Sequence, residues 1–194
     1  SGDYYEPSVS AELFDPVTET SAFASAPTHN SMLPTITLLA GGDVLYAGGM
    51  VAESEIYNPK KNEWKTAGSL NQSRWEANAT LLADGRVLVT GGMDPIDNSI
   101  LASTEFFDPS TETWTLAEPM ITPRRSHSST LLPDGRVLVA GGYSESDLTN
   151  SAEIYDPGAN SWTVVSSMNS ARQLHTATLL RDGRVLVVGG AGNG

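Results

Sequence analysis

The segment Thr130–Gly142 has the sequence TLLPDGRVLVAGG, which is typical of a β-hairpin. An apolar run ends at Pro-Asp-Gly, a turn signal, and a second apolar run ends at Gly141-Gly142. Closely similar segments occupy 80–92 and 178–190, and a divergent copy occupies 37–49. The chain therefore consists of four copies of this hairpin and the connections between them.

The spacing around the hairpin is regular. In every copy the first Gly of the doublet lies 32 residues after a Pro that follows Asp or Asn. From that Gly to the next such Pro the distance varies, with values of 11, 18 and 16 residues. Insertions concentrate where the chain runs over the surface, so we expect the variable loops to follow the Gly-Gly doublets.

Each period provides four short strands and no helical apolar pattern, which predicts an all-β fold. A period of 43–50 residues with four strands is typical of a β-propeller blade. The sequence predicts four four-stranded antiparallel blades within a single domain, residues 1–194. The repeats are expected at about 11–49, 54–92, 104–142 and 152–190.

The two ends of the repeat pattern are complementary. The chain opens with third and fourth strands and closes with first and second strands, so these half-blades could join as one blade and remove exposed sheet edges. Two alternatives remain open at this point. The chain could be a piece of a larger propeller, or part of a ring that is shared between chains.

Several recurrent residues are predicted to be structural. The glycines should allow turns and close packing, the tryptophans should pack between adjacent blades, and the glutamates should form structural hydrogen bonds. The glutamates could pair with a recurrent Arg, but Ser31 replaces this Arg in the first copy. The residues are Gly48, Gly49, Gly91, Gly92, Gly141, Gly142, Gly189, Gly190, Trp64, Trp114, Trp162, Glu12, Glu55, Glu105 and Glu153.

The combination of Gly-Gly, Glu-x-Tyr-Asp-Pro and a Trp nine residues after that Glu resembles the kelch repeat. It is also similar to the blades of galactose-oxidase-like enzymes, whose copper site needs a Cys that this chain lacks. The resemblance implies an interaction module with a peptide pocket near the mouth of the central channel. The first copy departs from the pattern, with Ser21 in place of the Trp.

Strand order places the variable loops and the start of each innermost strand on one face. The candidate ligand-binding residues lie there, and two of the segments share an Arg-x-x-His pattern. They are Arg74, Trp75, Arg124, Arg125, His127, Arg172, Gln173 and His175. A ring of Arg could bind a carboxylate. The alternative is that Arg and His connect neighbouring blades through hydrogen bonds.

Charge and composition restrict the function further. A net charge of −12 argues against nucleic acid and anionic membranes as partners, and no apolar run is long enough to insert into a membrane. Without cysteine there are no disulfides and no thiolate-bound metals. No cofactor is expected. Acidic loop residues make calcium a weak candidate only, and these are Asp94, Asp97, Glu145 and Asp147.

The sequence predicts a binding or interaction module for a protein, a peptide or a carbohydrate. A carbohydrate-active, isomerase-like propeller and a structural scaffold are the alternatives. No catalytic residue is assigned, because no Ser-His-Asp order, phosphate loop or His cluster is present. The location stays open, with an extracellular or cell-surface one favoured over the cytoplasm.

Overall fold

The computed structural model describes residues 10–29, 31–145 and 147–192, and within them every regular element is a strand. No helix in these ranges is long and apolar enough to cross a membrane. The predicted all-β class is therefore confirmed. In these ranges twenty strands form a series of antiparallel sheets that follow one another along the chain.

Three of the sheets are complete four-stranded blades. The first blade contains β3 (Thr35–Leu38), β4 (Val44–Ala47), β5 (Glu53–Asn58) and β6 (Glu63–Ser69). The second contains β7 (Asn78–Leu81), β8 (Val87–Thr90), β9 (Thr104–Asp108) and β10 (Thr113–Ala117). The third contains β11 (Ser128–Leu131), β12 (Val137–Ala140), β15 (Ala152–Asp156) and β16 (Ser161–Val165).

Two further sheets are half-blades. β1 (Ala11–Asp15) pairs with β2 (Thr20–Ala24), and β18 (Thr176–Leu179) pairs with β19 (Val185–Val188). In the described residues they form separate two-stranded sheets, and the union of the half-blades that the sequence left open is not seen there. The described residues thus contain three complete blades and two halves.

Two short ribbons lie in connections that the sequence predicted as loops. β13 (Tyr143–Ser144) pairs with β14 (Asp147–Leu148), and β17 (Arg172–Gln173) pairs with β20 (Ala191–Gly192). Strands of two residues carry no alternation of apolar and polar positions, so their sequence gives no signal.

The hairpin that repeats along the chain is closed by its Asp-Gly turn. Leu132 donates its N–H to the carbonyl of Arg136 at 2.8 Å, and the Asp134 carboxylate accepts the Arg136 N–H at 3.1 Å. Gly135 adopts a φ of 86°, a conformation that favours glycine. The innermost strands β3, β7, β11 and β18 lie side by side in this order, so the hairpins surround a common axis.

The hydrophobic core lies between the blades. Leu45 and Ile56 of the first blade pack against Val87, Phe107 and Trp114 of the second. An equivalent cluster joins the second blade to the third. Because each sheet is covered on its faces by the next sheet, the apolar positions of the hairpin alternate toward one neighbour or the other.

Each tryptophan of the repeat lies on an outermost strand and contacts the preceding blade. Trp114 donates from Nε1 to the Gly68 carbonyl and the Ser54 hydroxyl, both at 3.1 Å. Trp162 donates to the Glu118 carbonyl at 2.8 Å, and Trp64 donates to the Ser25 carbonyl at 2.6 Å. The indole thus fills the space between blades and satisfies its one polar atom there.

The Gly-Gly doublets connect each blade to the next one. The second Gly donates its N–H to the carbonyl of the Arg that precedes the next innermost strand, at 2.9 Å for Gly92 and Arg124 and at 2.8 Å for Gly142 and Arg172. At Gly142, where φ is 102°, a Cβ would lie 2.5 Å from the Arg125 carbonyl oxygen. No side chain fits at this approach.

We expect Gly142→Ala to lower the free energy of unfolding by at least about 2 kcal/mol, because it adds a backbone clash to the cost of positive φ. Gly135→Ala is the matched control: its φ is 86°, and no atom lies within 4 Å of the new Cβ. This variant should lose only about 1 kcal/mol. Urea unfolding of both variants measures the difference, and equal losses would contradict the packing role of the doublet.

Candidate functional site

The recurrent Arg before each innermost strand is a buried anchor. The Arg124 side chain is inaccessible to solvent, and its Nη2 lies 2.7 Å from the Glu153 carboxylate. Nη1 donates to the carbonyl of Gly141 at 2.8 Å. Arg74 makes the same contacts with Glu105 and the Gly91 carbonyl. These guanidinium groups join the first strand of a blade to its second and third strands.

The predicted ligand-binding role therefore does not fit Arg74 and Arg124. Both are 0–1% exposed, and their charge is neutralised inside the blade. Burial lowers the pKa of Arg124, while the hydrogen bond and charge of Glu153 raise it. The ring of Arg proposed from sequence as a carboxylate site is absent at these two positions.

The Glu of one sequence copy pairs with the Arg of the preceding copy. This corrects the pairing expected from sequence, which matched residues within a copy. A blade takes its first two strands from one copy and its third and fourth from the next. The Glu that faces Ser31 is therefore Glu55, and it accepts hydrogen bonds from the backbone N–H groups of Thr28 and His29 instead.

The two histidines of the Arg-x-x-His pattern also lie between blades. His127 is 5% exposed and its Nε2 is 2.8 Å from the Thr90 hydroxyl, whereas His175 is 8% exposed and its Nε2 is 2.9 Å from the Ser128 hydroxyl. Burial lowers the pKa of His127 to about 3, with smaller contributions from the charges of Arg124 and His175. His127 is thus neutral at neutral pH and connects the third blade to the second.

The residue after each Arg is different, because it lies half-buried on the loop face. Trp75, Arg125 and Gln173 pair through their backbones with Met93, Tyr143 and Ala191 in the connections that follow the Gly-Gly doublets. Each has one buried side-chain atom without a hydrogen-bond partner, namely Trp75 Nε1, Arg125 Nε and Gln173 Oε1. The same repeat position thus carries a buried polar atom without a partner in two complete blades and in the half-blade that follows.

Arg125 is held by its surroundings. Its guanidinium forms an ion pair with Glu76, and the Ser126 hydroxyl donates to the same carboxylate. The guanidinium carbon also lies 4.8 Å from the centre of the Tyr143 ring. The charge of Arg125 is therefore largely compensated locally, while its Nε remains without a partner.

Two clefts open beside these residues. One of about 360 Å³ lies between the 93–100 loop and the Arg125–Tyr143 pair, and also contacts Pro123 and Glu145. A larger one of about 540 Å³ lies where the innermost strands begin, with Glu76, Ser126 and Leu174 in its wall. The clefts place Arg125 and its partner Glu76 next to accessible space.

Sequence analysis did not identify the channel-mouth positions two residues after each Arg, or after Ser31 in the first copy. Leu33, Glu76, Ser126 and Leu174 all adopt a φ between 50° and 56°. This conformation is uncommon for residues other than glycine, and no sequence pattern reveals it. The sequence holds one indication of these positions, which is the variety of residue types at a fixed place in the repeat. In chain order the residues are apolar, acidic, hydroxyl-bearing and apolar.

Arg172 and the acidic loop residues complete the predicted set. Arg172 is half-buried and donates from Nη1 to the Gly189 carbonyl at 2.9 Å. Asp94 is 8% exposed and accepts from the Gln72 amide and the Ile96 N–H, while Asp97 accepts from Ser99. Among the described residues no group of three or more His, Asp or Glu side chains is placed to hold a metal ion. Calcium binding at the acidic loop residues, Glu145 and Asp147 included, stays a prediction.

We expect Arg124→Met to destabilise the fold by about 3–5 kcal/mol, because it leaves the Glu153 carboxylate buried without its cation. The double variant Arg124→Met/Glu153→Gln should recover part of this loss. Arg136→Ala is the control, since its ion pair with Asp134 is about half exposed and should contribute little to stability. Denaturant unfolding provides the comparison, and strictly additive losses would contradict a coupled buried pair.

The lowered pKa of His127 predicts a pH dependence. An unfolded His binds a proton below about pH 6.5, whereas the folded protein resists protonation of His127 down to about pH 3. The stabilisation is therefore complete above pH 6.5 and is lost as the pH falls from 6.5 toward 3. We expect the stability of the wild type to fall more steeply than that of His127→Gln between pH 7 and 4. Parallel curves from chemical denaturation would contradict this assignment.

The chain was also compared with known proteins. It matches the family model described as the KLHDC2/KLHL20/DRC7 Kelch-repeats domain over residues 29–194. It is 35% identical over 86 residues to Kelch-like protein 24 of Homo sapiens, Mus musculus and Rattus norvegicus. The matched segment covers 43% of this chain and only 14% of each relative. Since the family model covers most of the residues and the blades have the matching repeat, the chain belongs to the kelch-repeat family.

Proposed function

We propose that this kelch domain is a protein-interaction module that binds an extended peptide segment on its loop face. The observation that supports the proposal is the position of Trp75, Arg125 and Gln173, which lie half-buried on the loop face, with Arg125 in the wall of a cleft of about 360 Å³. They occur at one repeat position in two complete blades and in the half-blade that follows. Side chains that differ at one fixed position beside a cleft are suited to ligand binding, because the scaffold holds them in place while their chemistry varies.

The chemistry of the three side chains fits a peptide backbone. The indole Nε1 and the guanidinium Nε are donors, and the Gln173 Oε1 is an acceptor. An extended peptide carries a carbonyl acceptor and an N–H donor at every residue. The same segment can thus accept from Trp75 and Arg125 and donate to Gln173 as it crosses the blades.

Electrostatics favours a neutral or basic peptide. Glu76 compensates Arg125, and Arg74 and Arg124 are neutralised inside their blades. The protein carries a net charge of −12, which repels acidic ligands at long range. A carboxylate ligand is therefore replaced as the leading candidate by a peptide with uncharged or basic side chains.

The carbohydrate alternative has less support, because sugar binding commonly uses exposed aromatic rings. Trp64, Trp114 and Trp162 use their indoles between blades. Only Trp75 among the four tryptophans lies on the loop face, and it is half-buried there.

A peptide library displayed on phage, with random sequences and no acidic bias, tests the proposal against the immobilised domain. Selected peptides are then measured by fluorescence anisotropy. Trp75→Phe, Gln173→Met and Arg125→Lys each reduce the hydrogen-bonding capacity of one loop-face side chain, and Lys keeps the positive charge beside Glu76. We expect each change to weaken binding about tenfold, which corresponds to about 1.4 kcal/mol.

The matched control is Arg136→Ala, because Arg136 lies at the Asp-Gly turn on the opposite face of the propeller. It should leave peptide affinity unchanged. The proposal is overturned if no peptide is selected above background, or if the selected peptides bind all three loop-face variants as tightly as the wild type.

A further inference from the structure

We propose that the Asp-Gly pair in each hairpin turn is a latent site of covalent modification, at which the Arg that follows prevents the Asp from rearranging to isoaspartate. The three turns are Asp84-Gly85-Arg86, Asp134-Gly135-Arg136 and Asp182-Gly183-Arg184. They lie at the ends of the hairpins opposite the loop face, so this inference does not depend on the peptide site proposed above.

The rearrangement is an attack of the backbone on the side chain. The Gly135 nitrogen forms a bond to Cγ of Asp134, and the amide proton leaves with the hydroxyl of the protonated carboxyl group as water. The five-membered succinimide then takes up a water molecule. When the bond from the nitrogen to the main-chain carbonyl carbon of Asp134 breaks, the chain continues through Cγ and its mass is unchanged. Glycine favours the attack, because no Cβ covers its nitrogen.

The surroundings of the turn offer little protection. The side chains of Asp134 and Arg136 are 51% and 46% exposed. Beyond its chain neighbours, no atom lies within 4 Å of the place that a Cβ on Gly135 would take. Solvent therefore reaches the turn, and packing against other residues does not hold the glycine. Protection has to come from contacts within the turn.

The Arg holds both oxygens of the carboxylate. The Arg136 backbone N–H donates to Oδ1 of Asp134 at 3.1 Å, and its Nε donates to Oδ2 at 2.8 Å. Its Nη2 lies 2.7 Å from the same Oδ2. Arg86 makes these three contacts with Asp84 at 3.0, 2.8 and 2.7 Å. Charge-assisted hydrogen bonds of this kind fix the orientation of the carboxylate.

These contacts oppose the reaction at both of the atoms that must join. The side-chain hydrogen bond from Arg136, and then the one from its backbone N–H, lowers the pKa of Asp134, and an ionised carboxylate has no hydroxyl to release. The attacking nitrogen is also engaged, because Gly135 donates its N–H to the Leu132 carbonyl at 3.0 Å. The carbon and the nitrogen are thus held in separate hydrogen bonds.

The first copy shows that the turn closes without this pair. It has Gly41-Gly42-Asp43 at these positions, yet Gly42 donates to the Leu39 carbonyl at 2.9 Å and Leu39 donates to the Asp43 carbonyl at 2.8 Å. These are the contacts that close the turn at Leu132. A half-exposed ion pair also adds little stability. Neither turn closure nor stability accounts for the Arg, whereas Asp-Gly occurs in this chain only where Arg follows.

Isoaspartate in this turn would damage the scaffold. It adds one carbon to the main chain between β11 and β12, where Leu131 lies opposite Val137. The register of a hairpin depends on its turn geometry and loop length, and a shift would turn apolar side chains away from the core. By suppressing the rearrangement, the Arg preserves the hairpin over the lifetime of the protein.

Chymotryptic peptide mapping by mass spectrometry, after long incubation at neutral pH, measures isoaspartate at each turn separately. In Arg136→Ala we expect isoaspartate to form from Asp134 at least several-fold faster than in the wild type. Asp84 and Asp182 keep their Arg in this variant and should react at the wild-type rate. An unchanged rate at Asp134 overturns the proposal. An equal increase at all three turns also overturns it, because this would show a general loss of structure.

Two controls separate the ion pair from charge and from local sequence. Arg181→Ala removes an Arg that adjoins Asp182 and forms no ion pair within the described ranges, so isoaspartate formation at Asp182 should not change. In concentrated urea the wild type and Arg136→Ala should react equally fast at Asp134, because the contacts of Arg136 exist only in the folded turn. Faster reaction in Arg181→Ala, or a difference that persists in urea, overturns protection by the folded ion pair.

Discussion

The buried ion pair between Arg124 and Glu153 is the contact on which both the blade and its attachment depend. The side chain of Arg124 joins three strands of its own blade, while its backbone carbonyl accepts the N–H of Gly92 in the preceding blade. Desolvating two charges is costly, and this cost is offset by several charge-assisted hydrogen bonds in fixed geometry. Since one residue serves both within and between blades, a change at Arg124 disturbs the position of its neighbour as well.

Two adjacent residues, Arg124 and Arg125, differ in role. The first holds its blade together, and the second belongs to the proposed binding face. Arg124 points into its blade and pairs with Glu153, whereas Arg125 faces the loop side and lines an accessible cleft. The same division holds for Arg74 and Trp75. Because the anchor fixes the backbone, the next residue can vary in chemistry without a cost to the fold. Residues of this kind are where a propeller can change its ligand while keeping its blades.

Much of the fold could be predicted from the hairpin and its spacing, because the alternation, the Asp-Gly turn and the Gly-Gly doublet are local signals. The observed strand Val137–Ala140 lies inside the predicted second strand. The burial of Arg124 and its ion pair with Glu153 could not be predicted in this way. Its partner Glu153 lies 29 residues away in the next copy, and an Arg-x-x-His pattern is the same whether the guanidinium faces a carboxylate or solvent. The left-handed backbone at Ser126 and the two-residue ribbon at Tyr143–Ser144 also have no local signal.

The first blade shows which part of the anchor is indispensable. Ser31 replaces the Arg there, yet Glu55 is 1% exposed and still accepts backbone N–H groups from Thr28 and His29. Ile121 and Thr122 donate to Glu153 in the same manner. The contact that all three complete blades share is thus a carboxylate on the third strand held by the loop before the first, and the Arg reinforces it. This explains why Glu recurs in every copy while Arg does not.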